Sequence, residues 1–242
     1  MEAKDRIIPM ERSVIVAADV ENIGQLKCLA QEVKDVAGIG GFKIGFRMGL
    51  KGLTEAVDSV RRFYDNPLVP VIYDHQKAGN DIPPMGKGFA EDLAEAGVTA
   101  AILFPFAGPK TQEVWIKNCF DAGLQVLVGG IMTHEKFLVS EGGYVADDAV
   151  KRIYQLACEL GVRHFIVPGT KLDWVDEIYN WLFRGLGQDN FVLYAPGFID
   201  QGGDINECAS IVGEEWHAIV GGAIYNAEDI YESAMNITRQ II

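Results

Sequence analysis

The sequence of 242 residues is poor in cysteine and lacks long apolar runs. Its four cysteines, Cys28, Cys119, Cys158 and Cys208, are far apart and form no C-x-x-C pair, which argues against structural zinc and against a disulfide framework. No uninterrupted apolar stretch approaches the roughly 18 residues of a membrane-spanning helix, and charged residues are spread through the first dozen positions. We therefore expect a soluble protein of the reducing cytoplasm with no membrane partner.

Positive charge is also scarce, because 21 Lys and Arg residues face 34 Asp and Glu residues, for a net charge of −13. Binding of a nucleic acid needs a basic surface, so we expect no nucleic-acid partner, whereas a small anionic substrate remains compatible with this composition. Hydrophobic residues make up 49% and charged residues 23% of the chain, as in ordinary globular proteins.

Two motifs of common binding sites are missing. The first predicted turn, ADVENIG, lacks the G-x-G-x-x-G of a dinucleotide site, and no H-E-x-x-H spacing supports a metal centre. The four histidines do not converge, and His164 and His217 start predicted strands, where a structural role is expected.

Short apolar runs recur about every thirty residues, and amphipathic segments separate them. The runs are 14–18, 41–44, 69–73, 100–104, 125–128, 164–167, 190–194 and 217–220. Gly97, Gly123 and Gly161 each end a helical segment before such a run, and runs that are apolar at consecutive positions are typical of parallel strands buried on both faces. The sequence predicts a single-domain (β/α)8 TIM barrel over residues 1–242, with an open doubly wound sheet as the alternative.

The active site of such a barrel lies where the strands end. The residues that close the predicted strands there are Asp19, Lys43, Asp74 with Lys77 and Asp81, Thr133, Pro168, Pro196 with Gln201, and Gly221 with Gly222. Lys43 is unusual because a buried ammonium is costly without a carboxylate partner, and strand spacing allows it to meet Asp74. The same charges also fit a purely structural ion-pair network.

Two glycine pairs form a second candidate cluster. Gly202 and Gly203 precede a predicted helix, and Gly221 and Gly222 close the last predicted strand. Backbone amides after strands seven and eight of a barrel are suited to a phosphate group. Glycine pairs are also ordinary turn residues, so this pattern is weak without its position in the barrel.

Taken together, these segments resemble the orotidine 5'-monophosphate decarboxylase family, in a divergent, archaeal-like branch. The resemblance is carried by AADVEN at 17–22, FKIGF at 42–46, YDHQKAGNDIP at 73–83, MTH at 132–134, PGF at 196–198, QGGD at 201–204 and VGGAIYNAED at 220–229. It implies a carboxy-lyase that acts without a cofactor or metal on a nucleotide monophosphate, in the last step of pyrimidine (UMP) biosynthesis.

The resemblance also assigns roles to individual residues. It implies a catalytic charge network of Lys43, Asp74, Lys77 and Asp81, in which Lys77 stabilises and protonates a C6 carbanion and Asp81 crosses the interface of a homodimer. It further implies that Asp19 binds ribose and that Thr133, Pro196 and Gln201 lie beside the ligand. The amides at Gly202, Gly203, Gly221 and Gly222 would receive the phosphate.

The chain departs from the family pattern in two places. The family spacing D-x-K-x-x-D is longer by one residue in each gap here, between Asp74, Lys77 and Asp81. Gly222 stands where the family usually has an arginine that grips the phosphate, so weaker phosphate binding is expected unless another cation, such as Lys171, replaces it.

Two other functions remain open from the sequence. A magnesium-dependent sugar-phosphate lyase of the hexulose-phosphate-synthase type would need an acidic residue at position 43, where an ammonium would repel the metal. A barrel that binds a nucleotide or sugar phosphate without catalysis would fit the altered spacing. Retention of all four charged residues argues against this last function, because unpaired buried charge is expensive.

Overall fold

Eight parallel strands close into a barrel in which each strand bonds to its neighbours in chain order. The computed structural model describes residues 6–64, 69–75, 78–188 and 190–242. The strands are β1 (Arg12–Ala17), β2 (Ile39–Gly45), β3 (Val71–Asp74), β4 (Ala100–Leu103), β5 (Gln125–Gly129), β6 (His164–Ile166), β7 (Val192–Pro196) and β8 (Trp216–Val220). The fold is therefore a (β/α)8 barrel, and the open doubly wound sheet is excluded.

Helices follow the strands and cover the outside of the barrel. They are α1 (Ile23–Val33), α2 (Phe46–Arg61), α3 (Met85–Glu95), α4 (Pro109–Asp121), α5 (Asp147–Glu159), α6 (Leu172–Leu186), α7 (Ile205–Ala209), α8 (Gly222–Tyr225) and α9 (Ile230–Thr238). Among the helices in the described ranges, none has the length and apolar character that crossing a bilayer requires.

The glycine stops predicted before three strands are present. Gly97, Gly123 and Gly161 have φ angles of 78°, 80° and 92°, in the left-handed region that ends a helix without a steric penalty for glycine. Each glycine leads directly toward the next strand, so the predicted helix, glycine, strand unit is confirmed. The four cysteines lie on α1, α4, α5 and α7 and are all free thiols.

Apolar side chains form two layers around the strands. Outward-facing residues of the strands pack against the helices, with large buried side chains such as Trp216, Tyr154 and Phe165. Inward-facing residues fill the barrel interior, and Ile7 and Ile8 of the N-terminal segment belong to this inner cluster. The filled interior leaves the carboxyl ends of the strands as the place where a cavity opens.

Candidate active site

A cavity of about 300 Å³ lies at the carboxyl ends of the strands. This volume is at the lower end of what pockets for small molecules offer. The polar residues that line it are Asp19, Lys43, Asp74, Thr133, Asp200, Gln201 and Tyr225, and the apolar wall includes Ile102, Phe104, Met132, Pro168, Pro196, Phe198 and Ile219. The predicted residues Gly221 and Gly222 line it as well.

Lys43 lies at the centre of the charged part of this cavity. Its Nζ is 3.2 and 3.1 Å from the two carboxylate oxygens of Asp19 and 3.4 Å from Oδ2 of Asp74, and the residue is only 6% exposed. The contact with Asp74 that the sequence predicts is therefore present. Asp19, which the resemblance assigned to ribose, is a second partner of the ammonium.

Burial alone would lower the pKa of Lys43. The Asp74 and Asp19 carboxylates oppose this effect through their charges and hydrogen bonds, and the net result is a pKa above the ordinary value of 10.5. Lys43 is therefore an ammonium throughout the physiological pH range. Its charge in turn holds both carboxylates in fixed positions.

The register of the sheet explains why these three side chains meet. Ala17 of β1 is opposite Lys43 of β2, and Gly45 of β2 is opposite Asp74 of β3, so all three side chains emerge from the same rim. A Cβ on Gly45 would overlap Oδ1 of Asp19. The absence of a side chain at position 45 thus lets the Asp19 carboxylate reach Lys43.

The segment after β3 carries the other two predicted catalytic residues. Lys77, together with Gln76, lies outside the described residues. The chain is described again from Ala78, whose carbonyl accepts a hydrogen bond from the Phe104 N–H at 2.8 Å. Phe104 belongs to the cavity wall.

Asp81 lies on the exposed part of this segment and is not among the residues that line the cavity of its own chain. Its Oδ1 accepts a hydrogen bond from the Ile82 N–H at 2.6 Å, and its carbonyl accepts one from the Thr111 hydroxyl at 3.0 Å. Within one chain the structure therefore brings together Lys43 and Asp74, but not Asp81. A role for Asp81 across an interface stays a prediction.

The loop after β7 was expected to offer backbone amides to a phosphate. Instead, the N–H of Gly202 donates to the Ile199 carbonyl and the N–H of Gly203 donates to the Gly197 carbonyl, each at 3.0 Å. These bonds curl the loop around Ile199, which has a φ angle of 63°. In this conformation the two amides hold the loop together, and their contact with a phosphate stays a prediction.

The remaining predicted binding residues are placed at the cavity. Thr133, Pro196 and Gln201 line it, and the Thr170 hydroxyl ties the loop of Thr133 to the next loop by donating to the Thr133 carbonyl at 3.0 Å. Lys171, the suggested substitute cation, is not among the lining residues and pairs with Oε1 of Glu141 at 2.5 Å. This ion pair links the segment of Lys171 to that of Glu141.

Comparison with known proteins gives one consistent result. No family model matches the chain. It is 27% identical over 231 residues to the orotidine 5'-phosphate decarboxylase of Methanosarcina barkeri, covering 94% of both chains, and 26% identical over 239 residues to that of Methanosphaera stadtmanae, covering 96% of this chain and 98% of the other. The chain is thus similar, over nearly its whole length, to archaeal orotidine 5'-phosphate decarboxylases.

Solved structures of this family share the fold. The orotidine 5'-monophosphate decarboxylase of Methanocaldococcus jannaschii, complexed with the inhibitor BMP, superposes with a TM-score of 0.80 at 21% identity and covers 95% of this chain and 98% of its own. The Pyrococcus horikoshii decarboxylase gives a TM-score of 0.73 at 24% identity, covering 94% of this chain and 98% of its own. The likeness extends over the whole barrel.

Sequence reasoning missed two polar residues of this cavity, Asp200 and Tyr225. Tyr225 lines the cavity from α8, and its pKa is raised by burial and by the Asp19 and Asp200 carboxylates. Tyr225 lies three residues after Gly222, a helical spacing that returns it to the same face. Asp200 lines the cavity from the loop after β7, and only its position between Pro196 and Gln201, both predicted ligand residues, pointed to it.

Proposed function

We propose that this chain is a cofactor-independent decarboxylase that converts orotidine 5'-monophosphate to UMP. The observation that carries the proposal is the buried Lys43 ammonium held between Asp19 and Asp74 at the cavity, in a chain that aligns over 94% of its length with the Methanosarcina barkeri enzyme. The proposal covers residues 1–242 as one barrel domain, a cytoplasmic location and a place in pyrimidine biosynthesis.

In the proposed reaction, the bond from C6 of the pyrimidine to its carboxylate breaks and CO2 leaves. The electron pair stays on C6 as a vinyl carbanion, and the ammonium of Lys77 stabilises it and then transfers a proton to C6. Asp74 lies beside the substrate carboxylate and raises the energy of the bound substrate more than that of the transition state.

In the proposed network, Lys43 and Asp81 keep the Lys77 ammonium in position. Lys43 also orients Asp74 through the contact at 3.4 Å. The fixed ends of the segment after β3 support the placement of Lys77, since Asp74 lines the cavity and Ala78 bonds to the cavity residue Phe104. Thr133, Pro196 and Gln201 would contact the nucleotide.

We include a homodimer in the proposal. Asp81 is exposed, and beside it Ile82 is 61% and Met85 is 52% exposed, so an acidic residue and two apolar side chains share one surface. A second copy that covers this surface would bury the apolar groups and bring Asp81 toward the partner's cavity. In a mixture of Lys77→Ala and Asp81→Ala subunits, hybrid dimers would then regain one complete site.

The magnesium-dependent lyase is not favoured. The two carboxylates best placed to bind a metal, Asp19 and Asp74, are both bonded to the Lys43 ammonium. A divalent cation would have to displace this internal cation or accept its repulsion at close range.

The test is a spectrophotometric assay of orotidine 5'-monophosphate decarboxylation in EDTA. We expect turnover by the wild type and its loss in Lys77→Ala, because the proton donor is removed. Lys87→Ala is the matched control, since Lys87 lies on the surface of α3, where it pairs with Glu91, and it should keep full activity. Absence of turnover by folded wild-type protein contradicts the proposal, and UMP binding without turnover would indicate the non-catalytic barrel.

A further inference from the structure

A second depression, of about 370 Å³, adjoins the cavity where the loop after β1 meets α8. It shares Asp19 and Tyr225 with the cavity, and its further polar lining includes Glu21, Arg47 and Asn226. We call this depression the side groove. Because the cavity and the side groove have two wall residues in common, a long side chain of the groove lies close to a ligand in the cavity.

Arg47 is the cation of the side groove. It follows β2 directly, in the first turn of α2, and is exposed. Within the described part of the chain, no hydrogen bond or ion pair joins its guanidinium to another residue. The positive end of the helix dipole also repels a cation in the first turn, so this arginine does not stabilise α2. Its guanidinium is thus available to an anion.

Tyr225 responds to charges on both sides of the shared wall. Burial raises its pKa, and so do the Asp19 and Asp200 carboxylates. The positive charges of Lys43 and Arg47 act on this pKa in the opposite direction. The charge of Arg47 therefore reaches the wall of the cavity, although the residue itself lines only the side groove.

A phosphate on the β7–β8 side of the cavity needs a cation that is not already neutralised. Among the described residues that line the cavity, Lys43 is the one cation, and two carboxylates hold it. Gly222 has no side chain, and the Asp200 carboxylate occupies the space beside it. Arg47 has no carboxylate to give up in the described ranges, and a guanidinium can bind a phosphate through two parallel hydrogen bonds.

We propose that Arg47 is a substrate-binding residue that reaches past Tyr225 and binds the 5'-phosphate of the nucleotide. Its charge offsets that of Asp200 and replaces the cation that Gly222 does not supply. Arg47 thereby makes the site select a nucleoside 5'-monophosphate over the free nucleoside. This inference deepens the proposed function and rests on it, since it takes the nucleotide monophosphate from it.

Calorimetric titration of UMP and uridine into the wild type, Arg47→Ala and Arg62→Ala tests the inference. Because Arg47→Ala removes a charge-assisted contact with the phosphate, we expect it to weaken UMP binding by about 10- to 100-fold and to leave uridine binding unchanged. Arg62→Ala is the matched control, since it removes the same charge from an exposed residue at the other end of α2 and should change neither affinity. An equal loss for UMP and uridine in Arg47→Ala, or no loss for either, overturns the inference.

Salt dependence gives an independent measurement. Raising the KCl concentration from about 0.05 M to about 0.5 M should weaken UMP binding to the wild type more than to Arg47→Ala, because an exposed charge contact is screened. Equal salt dependence of the two proteins contradicts the inference. Turnover of orotidine 5'-monophosphate by the wild type, with an unaltered ratio of UMP to uridine affinity in Arg47→Ala, refutes the role of Arg47 alone. A wild type that binds neither UMP nor uridine refutes the proposed function and this inference together.

Discussion

Two polar clusters lie at opposite ends of the barrel. At the amino end, buried side chains are bonded in pairs, Ser13 with His217 and Tyr194 with His164. At the carboxyl end, Lys43 bonds to both Asp19 and Asp74 beside a cavity. The Ser13 hydroxyl lies 2.8 Å from Nδ1 of His217, and the Tyr194 hydroxyl lies 3.2 Å from Nδ1 of His164. The rings of Tyr194 and His217 are also in contact, with centroids 5.0 Å apart. These partners come from neighbouring strands.

The two ends show that the same barrel uses polar groups for different purposes. At the amino end the polar atoms satisfy each other and are closed off from solvent, so they contribute to stability. At the carboxyl end the ionised groups hold their positions while one face of the network stays open to a ligand. This division is the usual one for barrels of this architecture.

The largest expected effect is on catalysis, from Lys43→Met. Methionine fills a similar volume but leaves Asp19 and Asp74 without their shared cation, so the two carboxylates repel each other and the site loses its orientation. We expect kcat/KM for orotidine 5'-monophosphate to fall by about 100- to 1000-fold, as for loss of one preorganised charged group. Lys87→Met serves as control. A decrease of less than tenfold in Lys43→Met would contradict a catalytic role for the charged residues at the carboxyl end.

The next effect is on stability, from His217→Ala at the amino end. The substitution leaves a cavity and deprives the buried Ser13 hydroxyl of its partner, so we expect the free energy of unfolding to fall by about 2–4 kcal/mol. Urea titration measures this change. The kcat of the folded variant should equal that of the wild type, and a clear loss of kcat would show that the two ends are coupled.

The smallest effect, counted per pH unit, is the loss of stability in acid that His217 causes. Burial, together with the nearby His164 and Arg6, lowers the pKa of His217 to about 3 in the folded protein, from an ordinary value of 6.5. Below pH 6.5 the unfolded chain therefore takes up a proton that the folded chain refuses, and stability falls until the pH reaches about 3.

This single proton corresponds to about 1.4 kcal/mol per pH unit. Urea titrations of the wild type and His217→Asn between pH 7 and pH 4 isolate it, since asparagine can still bond to Ser13 but does not titrate. We expect the stability of the variant to fall less steeply with decreasing pH. Parallel curves for the two proteins would assign the acid sensitivity to other groups.

Most of the fold was predictable because it depends on local patterns. Apolar runs buried on both faces marked all eight strands, with ends displaced by at most two residues, and Gly97, Gly123 and Gly161 marked the ends of helices. Lys43 stood out for a related reason, since a charge inside an apolar run needs a partner. A neighbouring strand was the natural source of that partner.

The rest of the site depends on register and on contacts between loops that are far apart in the sequence. Asp19 reaches Lys43 only because β1 and β2 align Ala17 with Lys43 and because Gly45 leaves room. The Asp200 carboxylate occupies the space that a Cβ on Gly222 would take, and no local pattern encodes this approach of two loops. The left-handed conformation of Ile199 runs against the preference of its residue type and was equally hidden.

The buried N-terminal segment has a kinetic consequence. Ile7 and Ile8 pack with inward-facing residues such as Ile15 and Ile72, so these described residues fill the axis of the barrel at its amino end. A nucleotide would then enter and leave through the mouth at the carboxyl end. Product must dissociate before the next substrate binds, and free product competes with substrate for the same opening of the cavity.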